Sequence, residues 1–337
     1  MNGQRVAVVG ATGAVGREIL TVLEQRGFAL GELRLFASPR SVGDAIVFKG
    51  ERLRLRLVEP GCFRGVDFAL FSAGAERSRA HAPQAVQEGA IVVDNSSAFR
   101  MDPAVPLVVP EVNPAALDAH QGLIANPNCS TIQLVLAMRP VRDLYGLRRI
   151  VVATYQSVSG AGRRSIQELD AASRAHLGGA TEPREVYPRG IAFDVVPHID
   201  VFDAQGWTRE ETKMRHETRK ILGEPDLSVV ATCVRVPVFR CHSEAVHVET
   251  RQPVDLAQLA QAMRQQPGLC LLDGADYPLA REWAHSDEVA VGRVRLDPED
   301  ARAIAMWVVA DNLRKGAALN AVQIAEHLCH VRVRGGA

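Results

Sequence analysis

The sequence has few of the features that would place it in a membrane, outside the cell or on nucleic acid. Its 39 Lys and Arg residues equal its 39 Asp and Glu residues, so no overall field attracts nucleic acid or an anionic membrane. Uninterrupted apolar runs such as 303–310 fall far short of the roughly 18 residues that a membrane-spanning helix needs. Residues 1–5 lead straight into a short apolar strand, without the pattern of a secretion signal. We therefore expect a cytoplasmic protein.

Cysteine is also sparse. The six cysteines form no Cys-x-x-Cys pair, so we expect neither a disulfide framework nor a metal cluster. Hydrophobic residues at 47% and charged residues at 23% are ordinary values for globular proteins and exclude disordered, collagen-like and coiled-coil classes. A length of 337 residues favours two domains.

The first 37 residues predict a strand, a glycine turn, a helix and a second strand. The strands span 5–9 and 32–37, and helical periodicity follows the turn from Glu18. The turn contains a GxxGxxG motif, a variant of the dinucleotide fingerprint in which glycines let the backbone approach a pyrophosphate at a helix N-terminus. The predicted cofactor-binding residues of this turn are Gly10, Thr12, Gly13, Ala14, Val15 and Gly16.

The residues after the second strand indicate which dinucleotide binds. An acidic residue at this point accepts the ribose hydroxyls of NAD, whereas arginine accommodates the 2′-phosphate of NADP. The sequence has Arg40 and Ser41 there and no Asp or Glu at the end of the strand. This favours NADP, although Arg40 taken alone could also be a solvated loop residue.

Further strands are predicted at 52–58, 67–72, 90–94, 106–109 and 122–125, with a helix at 75–88. This alternation favours a mostly parallel sheet. The Arg/Leu alternation of 52–57 fits a strand with leucine inward and arginine in solvent. Near Cys129 the pattern changes to longer loops, with strands at 149–155 and 228–236 and helices at 131–139 and 210–222. We expect an α/β protein with a Rossmann-type domain over 1–128, and an α+β domain with a mixed sheet over 129–315.

Cys129 is the strongest nucleophile candidate. It follows a Pro-Asn turn and precedes a predicted helix, where backbone N–H groups and the helix dipole stabilise a thiolate. A base is needed to assist it, and His242 is a candidate, but the sequence has ten histidines and the pattern alone does not select one.

Several segments together resemble the aspartate-semialdehyde dehydrogenase family, nearly from end to end. They are residues 10–16, 94–100, 126–131, 154–156, 159–162, 210–214, 235–242 and 311–318. The resemblance implies reductive dephosphorylation of L-aspartyl 4-phosphate to L-aspartate 4-semialdehyde with NADPH, a branch step toward lysine, threonine and methionine. It also implies a homodimer formed through the second domain, and a C-terminal helix over 316–337 that completes the first domain.

The resemblance also implies roles for individual residues. Cys129 would form a thioester, His242 would act as acid and base, and Gln156 would orient the substrate and the base. Arg235 would bind the substrate α-carboxylate and Glu210 its amino group, while Lys213 and Arg100 would bind phosphate. Cofactor contacts would come from Ser159, Gly160 and Asn312, with Asn312 near the nicotinamide amide. One departure precedes the histidine, where Cys241 replaces the usual Gly or Ala.

Two alternatives remain at this point. An N-acetyl-glutamyl-phosphate reductase would share the domain plan and the thioester, but its substrate has no ammonium group to pair with Glu210. A non-catalytic paralogue acting as a binding protein would have lost the nucleophile, the base or the charged residues, and none of them is missing.

Overall fold

The described residues form two β-sheets, one in each of two compact units. The computed structural model describes residues 3–335, so residues 1–2 and 336–337 of the predicted first domain lie outside the described residues. One unit comprises Met1–Asn128 and Ala317–Ala337, and the other comprises Cys129–Gly316.

The sheet of the first unit has seven strands in the order β3-β4-β2-β1-β5-β6-β7. Every neighbouring pair is parallel except β3 with β4, so the predicted mostly parallel sheet is confirmed. The strands are β1 (Gln4–Val9), β2 (Leu30–Phe36), β3 (Ala45–Phe48), β4 (Glu51–Arg56), β5 (Phe68–Phe71), β6 (Ile91–Asp94) and β7 (Leu123–Ala125).

Helices cover both faces of this sheet. They are α1 (Ala14–Gln25), α2 (Ala75–Gln87) and α7 (Leu319–Gly335). Val6 and Val8 of β1 pack in one core with residues of α1 and α7, whereas Ala7 and Val9 pack in a second core with residues of α2. Alternate residues of a strand point to opposite faces, which explains why the central strands are apolar throughout. Residues of the C-terminal helix thus lie in the core of this unit.

Two details differ from the sequence-based expectation. The strand predicted at 106–109 is wrong: only Leu107 forms an isolated bridge, with Ala125. Prolines at 106 and 110 remove N–H donors that a longer ladder would need. The antiparallel edge strand β3 was not predicted. In β4 the leucines are more buried than the exposed arginines, as expected.

The second unit contains a six-stranded mixed sheet in the order β11-β12-β13-β10-β8-β9. Its strands are β8 (Leu147–Gln156), β9 (Ser228–Arg235), β10 (His242–Thr250), β11 (Leu269–Leu271), β12 (Val289–Leu296) and β13 (Ala303–Ala310). Its helices are α3 (Cys129–Tyr145), α4 (Arg163–Leu177), α5 (Arg209–Leu222) and α6 (Leu256–Gln265). The predicted α+β character with a mixed sheet is confirmed.

Helices α3, α5 and α6 pack against this second sheet. On β10 the even-numbered residues are buried, whereas Ala245, His247 and Glu249 are half-exposed. On β8, Val151, Ala153 and Tyr155 are more exposed than their neighbours on the strand. One face of the sheet is therefore more accessible, and we call it the open face: Val151, Ala153, Tyr155, Ala245, His247, Ala305 and Trp307.

Candidate active site

Three predicted site residues lie side by side at the ends of three neighbouring strands of the second sheet. His242 begins β10 and pairs in register with Gln156, the last residue of β8. Gln156 in turn pairs with Arg235, the last residue of β9. In-register neighbours on adjacent strands project to the same face. The sheet therefore brings an imidazole, an amide and a guanidinium into one buried row.

Gln156 connects this row to two helices. Its Nε2 donates to the hydroxyl of Ser130, and also donates to Oε1 of Glu210 at 3.1 Å. Ser130 lies in the first turn of α3, directly after Cys129, and Glu210 lies in the first turn of α5. The predicted orienting role of Gln156 is thus compatible with its contacts.

Cys129 is the first residue of α3, two residues earlier than the helix start predicted from the sequence. Its thiol is not part of a disulfide and is partly buried. A Cβ on Gly316 would lie 3.0 Å from the Cβ of Cys129, so a glycine lets the chain pass close to the cysteine. The first N–H groups of a helix lack intrahelical acceptors and stabilise negative charge, which suits a nucleophilic thiolate.

His242 is completely buried and its orientation is set by Ser157. The main-chain N–H of Ser157 donates to Nδ1 of His242 at 3.0 Å. Nδ1 is therefore an acceptor, and the neutral ring carries its proton on Nε2. Burial first, and then the charge of Arg235, lower the pKa of His242 to about 3, and the carboxylate of Glu210 offsets this only in part. His242 is a neutral hydrogen-bond donor at physiological pH.

Ser157, which was not predicted from the sequence, forms a hydrogen-bonded network with Asn312. Oδ1 of Asn312 accepts hydrogen bonds from the hydroxyls of Ser157 and Ser159, both at 3.1 Å, and from the N–H of Cys241 at 3.0 Å. Cys241 has a φ of +72°, a conformation that favours glycine, and this explains why glycine is one of the residues expected there. The Asn312 amide thus holds both segments that flank His242. The only sequence signal for Ser157 is its place directly after the strand that ends in Gln156.

Arg235 and Gly160 are close to the same imidazole. Nη1 of Arg235 donates to the carbonyl of Ser157 at 2.7 Å. A Cβ on Gly160 would lie 3.1 Å from Nη1 of Arg235 and 3.3 Å from Nε2 of His242. The absence of a side chain at Gly160 therefore lets the main chain lie against both groups.

Glu210 and Lys213 share one face of α5, because residues three apart on a helix are neighbours on its surface. Nζ of Lys213 donates to Oε2 of Glu210 at 3.1 Å and to Oδ2 of Asp200 at 2.8 Å. Burial acts to lower the pKa of Lys213, but the two carboxylates outweigh it and raise this pKa. The helix starts here because of a capping box: Thr208 accepts from the N–H of Glu211, whose side chain accepts from the N–H of Thr208. Asp200 was not predicted from the sequence.

The glycine turn of the first unit has the geometry of a phosphate-binding loop. Gly10 has a φ of +90°, and a Cβ on Gly16 would collide with the carbonyl oxygen of Gly10. Gly13 is the N-cap of α1 and has no side chain that could accept a hydrogen bond from the first main-chain N–H groups of the helix. These groups belong to Ala14 and Val15. Thr12 is half-buried beside them. The turn therefore fits an anionic pyrophosphate.

The other predicted residues of the first unit have different settings. Arg40 is exposed after β2, and Ser41 is half-buried in a turn that its N–H closes on Ser38 at 2.9 Å. Arg100 is buried, and its guanidinium donates to the main-chain carbonyls of Asn126 and Asn95 at 2.9 and 2.8 Å. These contacts fix the side chain of Arg100, and its role in phosphate binding stays a prediction.

Within residues 3–329, whose side chains the structure describes, no group of three or more His, Cys, Asp or Glu side chains could hold a metal ion. No helix within residues 3–335 combines the length and hydropathy needed to cross a membrane.

Family models match both units. Residues 5–120 match the semialdehyde dehydrogenase NAD binding domain, and residues 138–315 match the semialdehyde dehydrogenase dimerisation domain. The predicted nicotinamide dinucleotide cofactor is therefore confirmed at the level of the domain. Among curated relatives, an aspartate-semialdehyde dehydrogenase of Aquifex aeolicus is 49% identical over 333 residues, covering 97% of this chain and 98% of the relative.

Solved structures agree with these matches. Aspartate semialdehyde dehydrogenase II of Vibrio cholerae, complexed with ASA, superposes with a TM-score of 0.96 at 49% identity, covering 98% of this chain and 99% of the other. The enzyme of Candida albicans with NADP superposes with a TM-score of 0.77 at 25% identity, covering 97% and 98% of the two chains. These full-length matches do not favour the reductase or the non-catalytic alternative. The chain belongs to the aspartate-semialdehyde dehydrogenase family.

Proposed function

We propose that this chain converts L-aspartyl 4-phosphate to L-aspartate 4-semialdehyde with NADPH, a step of amino-acid biosynthesis, through a thioester on Cys129. The observation that carries this proposal is the row of His242, Gln156 and Arg235, which Gln156 links to the helix start bearing Cys129. The row supplies a hydrogen-bond donor, an orienting amide and a carboxylate-binding group within one unit.

The thiolate of Cys129 attacks the acyl phosphate and expels phosphate, leaving the aspartyl thioester. When bound, NADPH supplies the hydride that reduces the thioester carbonyl. The resulting hemithioacetal oxyanion collapses to the aldehyde and regenerates the thiolate, so this collapse needs no net proton transfer.

The tautomer of His242 supports a hydrogen-bond-donating role in that step. Nε2 carries the proton and faces Gly160, where it can stabilise the oxyanion by donating to it. If His242 took up a second proton, that proton would lie on Nδ1 and would point at the main-chain N–H of Ser157. The geometry therefore supports hydrogen-bond donation by His242 better than removal of the thiol proton.

The charged residues suit the two anionic ends and the ammonium group of the substrate. Arg235 supplies a fork for the α-carboxylate, which lysine cannot reproduce. Glu210 supplies a buried carboxylate for the amino group. Lys213 is cationic beside Glu210 and is the phosphate-binding group on α5, with Arg100 assigned the same role from the first unit.

We assign the cofactor as NADP, bound at the glycine turn of residues 10–16. Arg40 and Ser41 follow β2, where the 2′-phosphate of NADP binds in this fold. Ser159 and Gly160 remain the proposed cofactor contacts of the second unit. Asn312 is engaged with Ser157, Ser159 and Cys241, so any contact with the nicotinamide amide would be additional to a structural role.

The two units correspond in this proposal to a cofactor-binding domain and a catalytic and dimerisation domain. The open face of the second sheet is apolar at Ala153, Tyr155, Ala245 and Trp307, which supports its use as the homodimer interface. We assign the protein to the cytoplasm, consistent with six cysteines that are all outside disulfides.

The direct test is the reverse reaction, in which NADPH formation from L-aspartate 4-semialdehyde is followed with and without phosphate. Wild type should require phosphate and prefer NADP to NAD, and Cys129→Ala should lose at least ~10³-fold in rate. Cys270→Ala, a second partly buried thiol, is the matched control. A folded wild-type protein that binds NADPH but shows no phosphate-dependent turnover would refute the proposed reaction.

A further inference from the structure

Asp200 forms an ion pair with Lys213, the residue that the proposed mechanism assigns to phosphate binding. Nζ of Lys213 lies 2.8 Å from Oδ2 of Asp200 and 3.1 Å from Oε2 of Glu210. The exposed fractions of the Lys213 and Asp200 side chains are 21% and 25%, so the pair is largely sheltered from water. Although partial burial acts to raise the pKa of Asp200, its bond to Lys213 holds this pKa below the usual value.

The segment that carries Asp200 is fixed at several points. Val196 and Arg235 exchange two main-chain hydrogen bonds, both at 2.8 Å, before Asp200. The N–H of Arg209 donates to the carbonyl of Val201 at 2.8 Å just after it. Asp200 itself has a φ of +69°, and its Oδ1 accepts from the N–H of Val201 at 2.9 Å. A strained residue held in place by its neighbours is a feature of functional sites.

The carboxylates around Lys213 oppose the binding of phosphate there. Two carboxylates already surround one ammonium group, so a phosphate dianion that approaches Nζ meets a net negative charge. Glu210 is tied to Gln156 and is assigned to the substrate amino group, so its position cannot change without disturbing the row. Asp200, on the more exposed side, is the partner that phosphate can displace.

We propose that Asp200 is a positioning residue that competes with phosphate for Lys213 and so weakens the affinity of the site for the phosphate group. The carboxylate holds Lys213 in place when phosphate is absent and gives way when phosphate binds. This weakening favours release of the phosphate that each forward turnover produces. The inference rests on the proposed function of Lys213.

The test measures the KM for phosphate in the reverse reaction for wild type and Asp200→Asn. Asparagine tolerates positive φ and keeps the side-chain acceptor for the N–H of Val201, so the segment should keep its conformation. We expect the KM for phosphate to fall about 3- to 10-fold, because Lys213 is no longer shared with a carboxylate. The KM values for NADP and the semialdehyde should stay within about twofold.

Asp194→Asn is the matched control, because Asp194 lies on the same segment and accepts from the next N–H in the same way, at 2.7 Å. Its KM for phosphate should equal that of wild type. A general structural defect would raise KM values or lower kcat, and would not improve the affinity for one substrate. An unchanged or higher KM for phosphate in Asp200→Asn would overturn the proposal.

A double-mutant cycle separates this inference from the proposed function. Lys213→Met should raise the KM for phosphate, and adding Asp200→Asn to it should have no further effect, because the two residues act through one contact. If Lys213→Met leaves this KM unchanged, the phosphate role of Lys213 fails. Suppose that Lys213→Met raises the KM for phosphate, and that Asp200→Asn lowers this KM by the same factor in wild type and in the Lys213→Met protein. The phosphate role of Lys213 then stands, and only the role of Asp200 fails.

Discussion

The main-chain N–H of Ser157 points at Nδ1 of His242, with a distance of 3.0 Å between the two nitrogens. This contact fixes the tautomer of a fully buried imidazole and leaves Nε2 as its donor. The contact joins residues 85 positions apart in the sequence. It ties the orientation of His242 to the backbone directly after the end of β8.

Because the pKa of His242 is about 3 in the folded protein and ordinary in the unfolded chain, the unfolded state binds more protons between these values. Stability should therefore rise with pH from about 3 to about 6.5. We expect His242→Gln to reduce the slope of the melting temperature against pH in this window. Differential scanning calorimetry at intervals from pH 4 to 7 measures it, and the same substitution at His81 on α2 controls for removal of a histidine as such. An unchanged slope in His242→Gln would contradict the assignment.

Glu244 should have the opposite effect on stability. Its side chain is completely buried on β10, and this burial raises its pKa well above the ordinary value, although an interaction with the side chain of Gln133 acts to lower it. The folded state then keeps a proton that the unfolded chain releases above about pH 4.5, so stability falls as pH rises. Glu244→Gln should raise the melting temperature at pH 8 by about 2–4 °C and change it little at pH 4.

Glu249→Gln on the same strand is the control for Glu244, because Glu249 is half-exposed and paired with Arg148 at 2.7 Å. Surface pairs of this kind contribute little to stability. A Glu244→Gln protein that melts below wild type at pH 8 would show that the carboxyl group is needed as such.

Gly160→Ala should impair catalysis more than folding. The new methyl group would lie 3.1–3.3 Å from Arg235 and His242, so one of these groups must shift. Small displacements of positioned groups can cost up to about 100-fold in rate, and we expect kcat/KM to fall about 10- to 100-fold. Gly178→Ala, at the end of α4 with an ordinary φ of −85°, is the control and should keep wild-type activity. Equal kinetics for both variants would argue against close packing at Gly160.

Arg40→Ala should weaken the preference for NADP. The guanidinium is exposed after β2, and loss of a charge-assisted hydrogen bond to the 2′-phosphate should raise the KM for NADP about 10-fold. The KM for NAD should change little, because NAD lacks this phosphate. Arg52→Ala removes a similarly exposed arginine from β4 and should leave both constants unchanged. A parallel change in both KM values would place Arg40 outside the 2′-phosphate site.

Ala153→Arg should dissociate the proposed homodimer. Ala153 lies within β8 on the open face, and an arginine there would put an unpaired charge into an apolar interface. Sedimentation velocity should give the mass of a dimer for wild type and of a monomer for the variant. Ala257→Arg on the exposed side of α6 is the matched control and should remain dimeric. A dimer that persists in Ala153→Arg would exclude the open face as the interface.

Much of the first unit could be predicted because its signals are local. The glycine turn, the flanking strands and the helix after them are specified by backbone sterics and periodicity over about 30 residues. The spacing of Glu210 and Lys213 on one helical turn is equally local, and the two side chains meet at 3.1 Å. The strand expected at 106–109 failed because apolar content alone does not show whether a partner strand can pair beside proline.

The sequence by itself determined which groups are present and which lie on the same turn of a helix: a cysteine at a helix start, a glycine turn for a pyrophosphate, and a Glu–Lys pair. The pattern of residues alone left ten histidines as candidates and only the family resemblance pointed to His242, whereas strand register in the tertiary structure places it opposite Gln156, which in turn pairs with Arg235. The contacts of Ser157 with His242 and of Asp200 with Lys213 likewise depend on long-range pairing and loop placement. Periodicity along one chain carries no information about such pairings, since they depend on how distant segments pack.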